Sequence, residues 1–174
     1  MKVAIIGGTG AQGLNIAKRL AIAGEEIIVG SRTEEKALTK VEEVKELLSD
    51  YDINICGMAN EDAAKEGELL ILTVPLETAI GGSPARFVDL MEGSAAERTA
   101  KILKKTSVKV VSAFNNISNS HLENIPEPID CDCLISGDDN DAKKTVAELR
   151  EIAKEAGITG FSTMKKDELL NALK

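Results

Sequence analysis

Two hydrophobic periods alternate along the chain. Short apolar runs bounded by glycine, proline or charged residues, as at 3–6 and 26–30, are typical of strands that are covered on both faces. Between these runs apolar residues recur at helical spacing, as Leu14, Ala17 and Ala21 do. The alternation predicts an α/β fold, a Rossmann-like, doubly wound and mostly parallel sheet with helices on both faces.

The same pattern predicts the elements in chain order. Strands are predicted at residues 3–6, 26–30, 52–57, 68–75 and 108–114, with a short one at 133–136. Helices are predicted to begin at Ala11, near Ala37, at Asn60, after Ser94 in a capping box with Glu97, and near Ala142. Residues 77–87 are predicted to be a loop. We divide the chain into a nucleotide-binding domain, 1–158, and an amphipathic helical tail, 159–174.

A glycine-rich turn, Gly8-x-Gly10-x-x-Gly13, follows the first strand and opens the first helix. Gly8 would allow the tight reversal, Gly10 would let the backbone approach a pyrophosphate, and Gly13 would let helix and strand pack closely. The helix N-terminus then offers free N–H groups and a partial positive charge to phosphates. The motif predicts a nucleotide site. The alternative is a tight turn that binds nothing.

The end of the second strand bears on which nucleotide binds. An acidic residue there would bond the ribose 2′-hydroxyl of NAD, but this chain has Ser31 and Arg32, with Lys36 one turn further along. A hydroxyl and a forked cation suit a 2′-phosphate, so the residues favour NADP(H). In the alternative, Ser31 caps the next helix through Glu34 and the two cations are solvated surface residues.

Two more strand ends are predicted to reach the edge where open α/β sheets bind ligands. The fourth strand ends in Thr73-Val74-Pro75, and the fifth delivers Asn115, Asn116 and Ile117. The asparagines could contact a nicotinamide amide or a second substrate, and Ile117 could press against a flat ring. In the alternative, proline simply stops the fourth strand and the asparagines form a turn through local side-chain bonds.

Composition argues against several classes of partner. The 174 residues suffice for one domain with a sizeable core. Aromatic residues make up 2% of the chain and its net charge is −8, which argues against nucleic acid and anionic membranes. Cys56, Cys131 and Cys133 fit neither a zinc site nor a disulfide framework, and the lone His121 is predicted to be a surface or loop residue. With no leader or membrane-length apolar run, we expect a cytoplasmic protein without metal, nucleic-acid or membrane partners.

Six segments together resemble the family of coenzyme F420-dependent NADP oxidoreductases, also called NADPH-dependent F420 reductases. The resemblance runs from Met1 to about Ile152. The segments are 7–13 (GGTGAQG), 30–32 (GSR), 73–75 (TVP), 93–98 (GSAAER), 112–117 (SAFNNI) and 131–139 (CDCLISGDD).

The resemblance implies two half-sites. NADP phosphates would lie on residues 9–12, the 2′-phosphate on Ser31, Arg32 and Lys36, the nicotinamide near 74–76, and the deazaflavin ring of F420 beside 114–117. A hydride would pass directly between the two rings, so the resemblance implies no catalytic acid or base. The predicted cofactor-binding residues are Gly8, Thr9, Gly10, Ala11, Gln12, Gly13, Ser31, Arg32, Lys36, Thr73, Val74, Pro75, Leu76, Ala113, Phe114, Asn115 and Ile117.

The chain departs from this family in two places. The family has a further helix and strand, and a second Thr-Val-Pro-like segment, before the loop that contains 81–84 here. It also ends in a longer helical region that closes the deazaflavin site and joins two subunits, which 159–174 does not match. We expect an NADP-linked oxidoreductase acting on F420, as a homodimer if the family's assembly holds. The alternatives are a non-catalytic NADP(H)-binding module or redox sensor, and a dehydrogenase for another imine or carbonyl; the lack of a proton donor counts against the latter.

Overall fold

The computed structural model describes residues 1–74, 90–125, 129 and 132–155, with the backbone alone at 150–155. The elements in chain order are β1 (Lys2–Ile6), α1 (Ala11–Ile22), β2 (Glu26–Ser31), α2 (Glu34–Leu47), β3 (Asn54–Ala59), α3 (Asn60–Glu66), β4 (Leu69–Leu72), α4 (Ala95–Leu103), α5 (Asn119–Glu123) and α6 (Asn140–Glu155).

The four strands of the described sheet run parallel in the order β3-β2-β1-β4. The chain builds outward from β1 through β2 to β3, and then crosses back to place β4 on the other side of β1. Such a reversal leaves a crevice at the carboxyl ends of the two strands that flank it, where open α/β sheets bind ligands. Here those strands are β1 and β4, which are followed by the glycine turn and by Thr73.

Apolar side chains cover both faces of the sheet. Val3 and Ile5 of β1 belong to a large core that α1 and α2 complete. Ala4 and Ile28, on the opposite face, pack with Ala63 of α3. Helices on both faces of a parallel sheet confirm the predicted doubly wound architecture.

Most of the predicted elements are present close to their predicted positions. The helices α1 and α3 begin at the predicted residues, and α4 begins after Ser94, whose Oγ accepts the N–H of Glu97 at 3.2 Å. The strands predicted at 52–57 and 68–75 are found at Asn54–Ala59 and Leu69–Leu72. The first half of the chain is therefore a regular βαβ succession.

The predicted strands at 108–114 and 133–136 are wrong. In the described part of the chain the two segments pair through one isolated antiparallel bridge, in which Ser112 and Ser136 exchange N–H···O bonds of 2.8 and 2.9 Å. An apolar run becomes a strand only where a neighbouring strand offers a ladder and both faces are covered. Val108 is half exposed, so this run does not reach the burial that its composition suggested.

The second half contains two more helices. The pattern does not predict α5, because five residues are too few for a helical period to show. The helix α6 was expected, and Val146 and Leu149 are buried on it as predicted. The loop predicted at 77–87 and the tail at 159–174 lie outside the described residues. No helix within the described ranges is both long and apolar enough to cross a membrane.

Candidate cofactor site

The glycine turn connects β1 to α1 through a short series of backbone hydrogen bonds. The Gly8 N–H donates to the Ile5 carbonyl at 3.1 Å, and the Gly10 N–H donates to the Gly7 carbonyl at 3.2 Å. Gly7 has a φ of +77°, a left-handed conformation that favours glycine. Gly10 is the N-cap of α1, and its carbonyl accepts the N–H of Leu14 at 2.8 Å. The first N–H groups of the helix, at 11–13, have no acceptor within the helix and face the crevice end of the turn.

The three motif glycines differ in how much room the chain leaves around them. A Cβ on Gly8 would lie 2.8 Å from the Ile5 carbonyl oxygen. A Cβ on Gly13 would lie 2.6 Å from Thr73 Oγ1 and 2.8 Å from the Gly8 Cα. These two glycines have the turn and packing roles predicted for them. A Cβ on Gly10 would lie 3.6 Å from the Gly7 carbonyl oxygen, its nearest contact beyond the adjacent residues in the described part of the chain, so the described residues leave this position open.

Two side chains from other strand ends hold the turn in place. Asn60, the first residue of α3, accepts the Gly7 N–H on its Oδ1 at 3.0 Å. Thr73 donates from both its N–H and its Oγ1 to the Ile6 carbonyl, at 3.1 and 3.0 Å. A Cβ on Gly7 would lie 2.8 Å from a methyl carbon of Val74, so Val74 also lies against the turn. Asn60 is not among the cofactor-binding residues predicted from the sequence. Its position directly after a strand, at the ligand edge of the sheet, could have indicated this role.

The end of β2 reaches the same turn. The Oγ atoms of Thr9 and Ser31 lie 3.4 Å apart, and Ser31 is only 3% exposed. The next helix begins at Glu34 with Thr33 at its N-cap position, where no side-chain capping bond forms, so the alternative in which Ser31 caps this helix is wrong. Arg32 and Lys36 are exposed, and neither forms an ion pair with another residue in the described ranges.

These groups form an environment suited to an anion. The first turn of α1 contains no acidic residue, and its N–H groups carry the positive end of the helix dipole. Hydroxyls from Thr9 and Ser31 and the cations of Arg32 and Lys36 lie on the side toward β2. The open position at Gly10 lies between the turn and the helix. A phosphate-bearing ligand fits this donor set.

The predicted second-substrate turn lies at 113–117. Phe114 has a φ of +64°, the one left-handed residue other than glycine among those described. Asn115 Nδ2 donates to Ser112 Oγ at 2.8 Å, while Asn116 bonds the backbone of Asp132 and Leu134. The Asn115 bond is local, as the turn alternative predicted, whereas the Asn116 bonds reach 16 and 18 positions along the chain.

The side chains of this turn divide between the core and the surface. Ile117 is 6% exposed and its side chain lies in the main core, so it is not free to press against a ring as the sequence analysis suggested. Ala113 and Phe114 are half-buried, with Phe114 packed against the core, and Asn115 is exposed. Pro75 and Leu76, which were predicted to contact the nicotinamide, lie outside the described residues.

One face of α1 joins the glycine turn to this second turn. Gln12 Nε2 donates to the Ile117 carbonyl at 3.3 Å, and Asn15 Nδ2 donates to Asn119 Oδ1 at 3.1 Å. Arg19, 6% exposed, donates from Nε to the Leu122 carbonyl at 2.8 Å. Burial lowers the pKa of the Arg19 guanidinium from its usual value. Sequence reasoning missed Asn15 and Arg19; a cation among the apolar positions of α1 was the only signal.

Comparison with known proteins gives two family matches. Residues 2–83 match the family described as NADP oxidoreductase, coenzyme F420-dependent. Residues 142–174 match the family described as Rho termination factor, N-terminal domain. The second match begins inside α6 and continues to the end of the chain, so it straddles the domain boundary predicted at 158.

Three relatives match most of the chain. It is 44% identical to the F420-dependent NADP reductases of Methanothermobacter thermautotrophicus and Methanothermobacter marburgensis, over 87% of this chain and 76% and 79% of theirs. It is 37% identical to that of Methanocaldococcus jannaschii, over 99% of this chain and 89% of the relative.

The length of one alignment shows that this chain is shorter than its relative within the matched stretch. The alignment with the Methanothermobacter thermautotrophicus protein spans 177 positions, more than the whole 174-residue chain, yet takes in 87% of it. The relative therefore has residues within the matched stretch that this chain lacks. This finding agrees with the internal shortening predicted from the sequence.

Proposed function

The chain belongs to the family of F420-dependent NADP reductases, and we propose that it transfers a hydride between NADP(H) and F420 beside the glycine turn. It is an NADP-linked oxidoreductase, with NADP(H) and coenzyme F420 as its small-molecule cofactors. The observation that carries the proposal for the site is the room at Gly10. The other two glycines of the motif are enclosed by atoms of the chain, whereas the described residues leave room at Gly10 for a bound group.

The pyrophosphate of NADP(H) would lie against residues 9–13. The first N–H groups of α1 and the Thr9 hydroxyl are donors, and Gly10 lets the backbone come close. Gln12 would contribute its backbone N–H, since its side chain already bonds the Ile117 carbonyl.

The 2′-phosphate would bind at the end of β2. Ser31 supplies a hydroxyl beside that of Thr9, and Arg32 and Lys36 supply exposed cations that no described acidic group neutralises. A charge-assisted hydrogen bond is worth about 1.5–3 kcal/mol, so these contacts favour NADPH over NADH by one or more orders of magnitude.

The nicotinamide would lie at the end of β4, next to Thr73 and Val74, and the family resemblance adds Pro75 and Leu76 to the expected contacts. The deazaflavin ring would face the half-buried Ala113 and Phe114 and the exposed Asn115. Ile117 contributes through its backbone carbonyl, because its side chain is part of the core.

The chain's residues bind, orient and exclude water, and the two cofactors carry the reactivity. NADPH, when bound, supplies the hydride that F420 accepts. The hydride would pass directly between the two rings, and the proton that completes the reduction of F420 would come from water, so the site would need no catalytic acid or base from the protein.

The test is turnover with both cofactors. Purified full-length protein should bleach the deazaflavin absorbance band in the presence of NADPH and far more slowly with NADH, while titrations of NADPH, NADH and F420 measure binding on the same sample. Binding of NADPH without any bleaching above the rate in protein-free buffer would contradict the proposal and favour a non-catalytic NADP(H)-binding module. Robust turnover of an imine or carbonyl in place of F420 would contradict it in a different way.

The oligomeric state, the cellular location and the absence of a nucleic-acid partner stay predictions. We infer a homodimer from the family resemblance, a cytoplasmic location from composition, and no nucleic-acid partner from the net charge of −8. Because residues 142–174 match a Rho N-terminal domain, the predicted absence of a nucleic-acid partner should be tested directly, by titrating labelled RNA into the full chain. The domain boundary at 158 also stays a prediction.

A further inference from the structure

A stripe of polar side chains on α1 forms hydrogen bonds with the part of the chain that contains the second-substrate turn. Gln12, Asn15 and Arg19 share one face of the helix, because positions three, four and seven apart lie above one another. Their side chains all donate to residues 117–124, more than 100 positions away in sequence. We call residues 114–124 the second-substrate segment and these contacts the α1 lock.

Arg19 makes the most extensive contact of the lock. Its Nε donates to the Leu122 carbonyl at 2.8 Å, and its Nη2 donates to the carbonyls of His121 and Asn124 at 2.8 and 3.0 Å. These carbonyls lie at the C-terminal end of α5, where a helix leaves its last C=O groups without internal partners. A cation there also interacts favourably with the helix dipole. Arg19 therefore acts as a buried cap for a helix on another part of the chain.

The polar bonds of the stripe fix the position of the second-substrate segment along α1, which apolar contacts alone would not do. Apolar side chains would hold a segment on α1 but allow it to slide along the helix. The Arg19 guanidinium, which donates to three carbonyls, can do so at one position of the segment only. Asn15, 5% exposed, adds a second directional bond to Asn119 in the middle of the segment. From Gln12 to Arg19 the lock extends about 10 Å along the helix, at about 1.5 Å per residue.

The helix that sets this register also starts at the glycine turn. A shift of the second-substrate segment along α1 is therefore a shift of its first residues relative to the crevice. Phe114, at φ +64°, is held in a conformation that persists only where its surroundings fix it, and the Ile117 N–H bonds back to the Phe114 carbonyl at 3.2 Å. Gln12 holds that same small turn from α1 through the Ile117 carbonyl.

We propose that Arg19, supported by Asn15, is a positioning residue for the second substrate. It touches neither cofactor. It sets where the second-substrate turn stands along α1, and so how the F420 ring meets the nicotinamide. This proposal rests on the proposed function above, and hydride transfer is sensitive to it because reacting atoms must come within about 3–3.5 Å.

The test compares Arg19→Lys, which keeps a charge but loses the fork, with Val44→Ala, a core truncation on α2 away from the segment. Both variants are measured at a temperature where both are folded. Arg19→Lys should lower the single-turnover rate of F420 reduction at least about tenfold and leave the Kd of NADPH within twofold, since misplacement of reacting groups by 1 Å costs up to about a hundredfold. Val44→Ala should leave both quantities unchanged despite its lower melting temperature.

Hydrogen exchange supplies a readout that does not depend on activity. Amides at 114–124 should exchange faster in Arg19→Lys than in Val44→Ala at matched global stability, while those of β1 and β2 behave alike. Faster exchange with an unchanged F420 rate would overturn the positioning role and leave a purely structural one. Loss of NADPH binding in step with the rate would also overturn it.

A milder pair of variants covers the case in which Arg19→Lys does not fold. Asn15→Ala and Asn119→Ala should each slow F420 reduction, and the double variant should be little worse than either, because the two residues share one bond. Additive losses would contradict the lock. Wild-type protein that binds NADPH but reduces no F420 would instead overturn the proposed function and this proposal with it, whereas equal rates in an active wild type and its variants would overturn this proposal alone.

Discussion

Replacing Gly10 with alanine separates binding from folding at the glycine turn. Gly10 has φ −76° and ψ 160°, which alanine adopts without strain, and among the described residues beyond its two neighbours the added Cβ would come no nearer than 3.6 Å to any atom. The substitution therefore fills only the space that we assign to the pyrophosphate of NADP(H).

The expected magnitudes follow from these contacts. An alanine restricts the unfolded chain and so stabilises by about 0.4–1 kcal/mol. As an N-cap, however, it is poorer than glycine by about 0.5–1 kcal/mol, so the free energy of unfolding should change by less than about 0.5 kcal/mol. A methyl group forced into an occupied space costs about 1–3 kcal/mol, which raises the Kd of NADPH about 5- to 150-fold.

Calorimetry and an NADPH titration of the same preparation check this prediction. Gly13→Ala is the matched control, because its Cβ would lie 2.8 Å from the Gly8 Cα and 2.6 Å from Thr73 Oγ1. That variant should lose about 1–3 kcal/mol of stability, and about 2–4 °C in Tm for each kcal/mol. If Gly10→Ala binds NADPH as tightly as the wild type, the pyrophosphate does not lie at Gly10 and the reasoning fails.

Three further predictions concern neighbouring groups. Arg32→Ala should weaken NADPH about 10- to 150-fold and NADH hardly at all, and equal losses in parallel titrations would show that Arg32 does not bind the 2′-phosphate. Asn60→Ala leaves the Gly7 N–H without its 3.0 Å acceptor, so denaturant unfolding should report a loss of about 1–3 kcal/mol; an unchanged midpoint would contradict this. N–H groups at the start of α6 and the Lys109 ammonium lower the pKa of Asp139 from 3.8, so its contribution to stability is present above pH 3.8 and is lost as the pH falls through the lowered pKa. In Asp139→Asn the free energy of unfolding should therefore fall less steeply as the pH is lowered, and a pH dependence equal to that of the wild type would contradict this prediction.

The local structure around the proposed NADP half-site could be predicted from sequence because its determinants are local. A buried strand, a glycine turn and a helix start occupy the first residues of the chain, and each imposes its own pattern. The end of β2 follows at the distance that a βαβ unit fixes. The pattern did not predict which residue of the turn is left-handed or which side chain holds the turn. The left-handed residue is Gly7, and its N–H donates to Asn60, which lies 53 positions further along the chain.

The second half was less predictable for a physical reason. Whether the apolar run at 108–114 forms a strand depends on a partner strand and on coverage, and neither is encoded in the run itself. The role of Arg19 depends on carbonyls more than 100 residues away, so the sequence shows only a cation between the buried positions Ile16 and Leu20 of α1. Buried charges need partners, which marks Arg19 as unusual but does not identify the partner.

The α1 lock bears on how the second-substrate segment is positioned in a chain that lacks residues found in its relatives. The relatives carry residues within the matched stretch that this chain lacks, and the loss of a connection changes mainly loop-closure entropy, about 0.6 kcal/mol for each doubling of loop length. Among the described residues the lock includes five hydrogen bonds made directly between α1 and the second-substrate segment, each worth about 0.5–1.5 kcal/mol. The direct contacts therefore outweigh the change in the connection. It follows that the position of Phe114 relative to the glycine turn is set by α1, which this chain retains, and not by the length of chain between them.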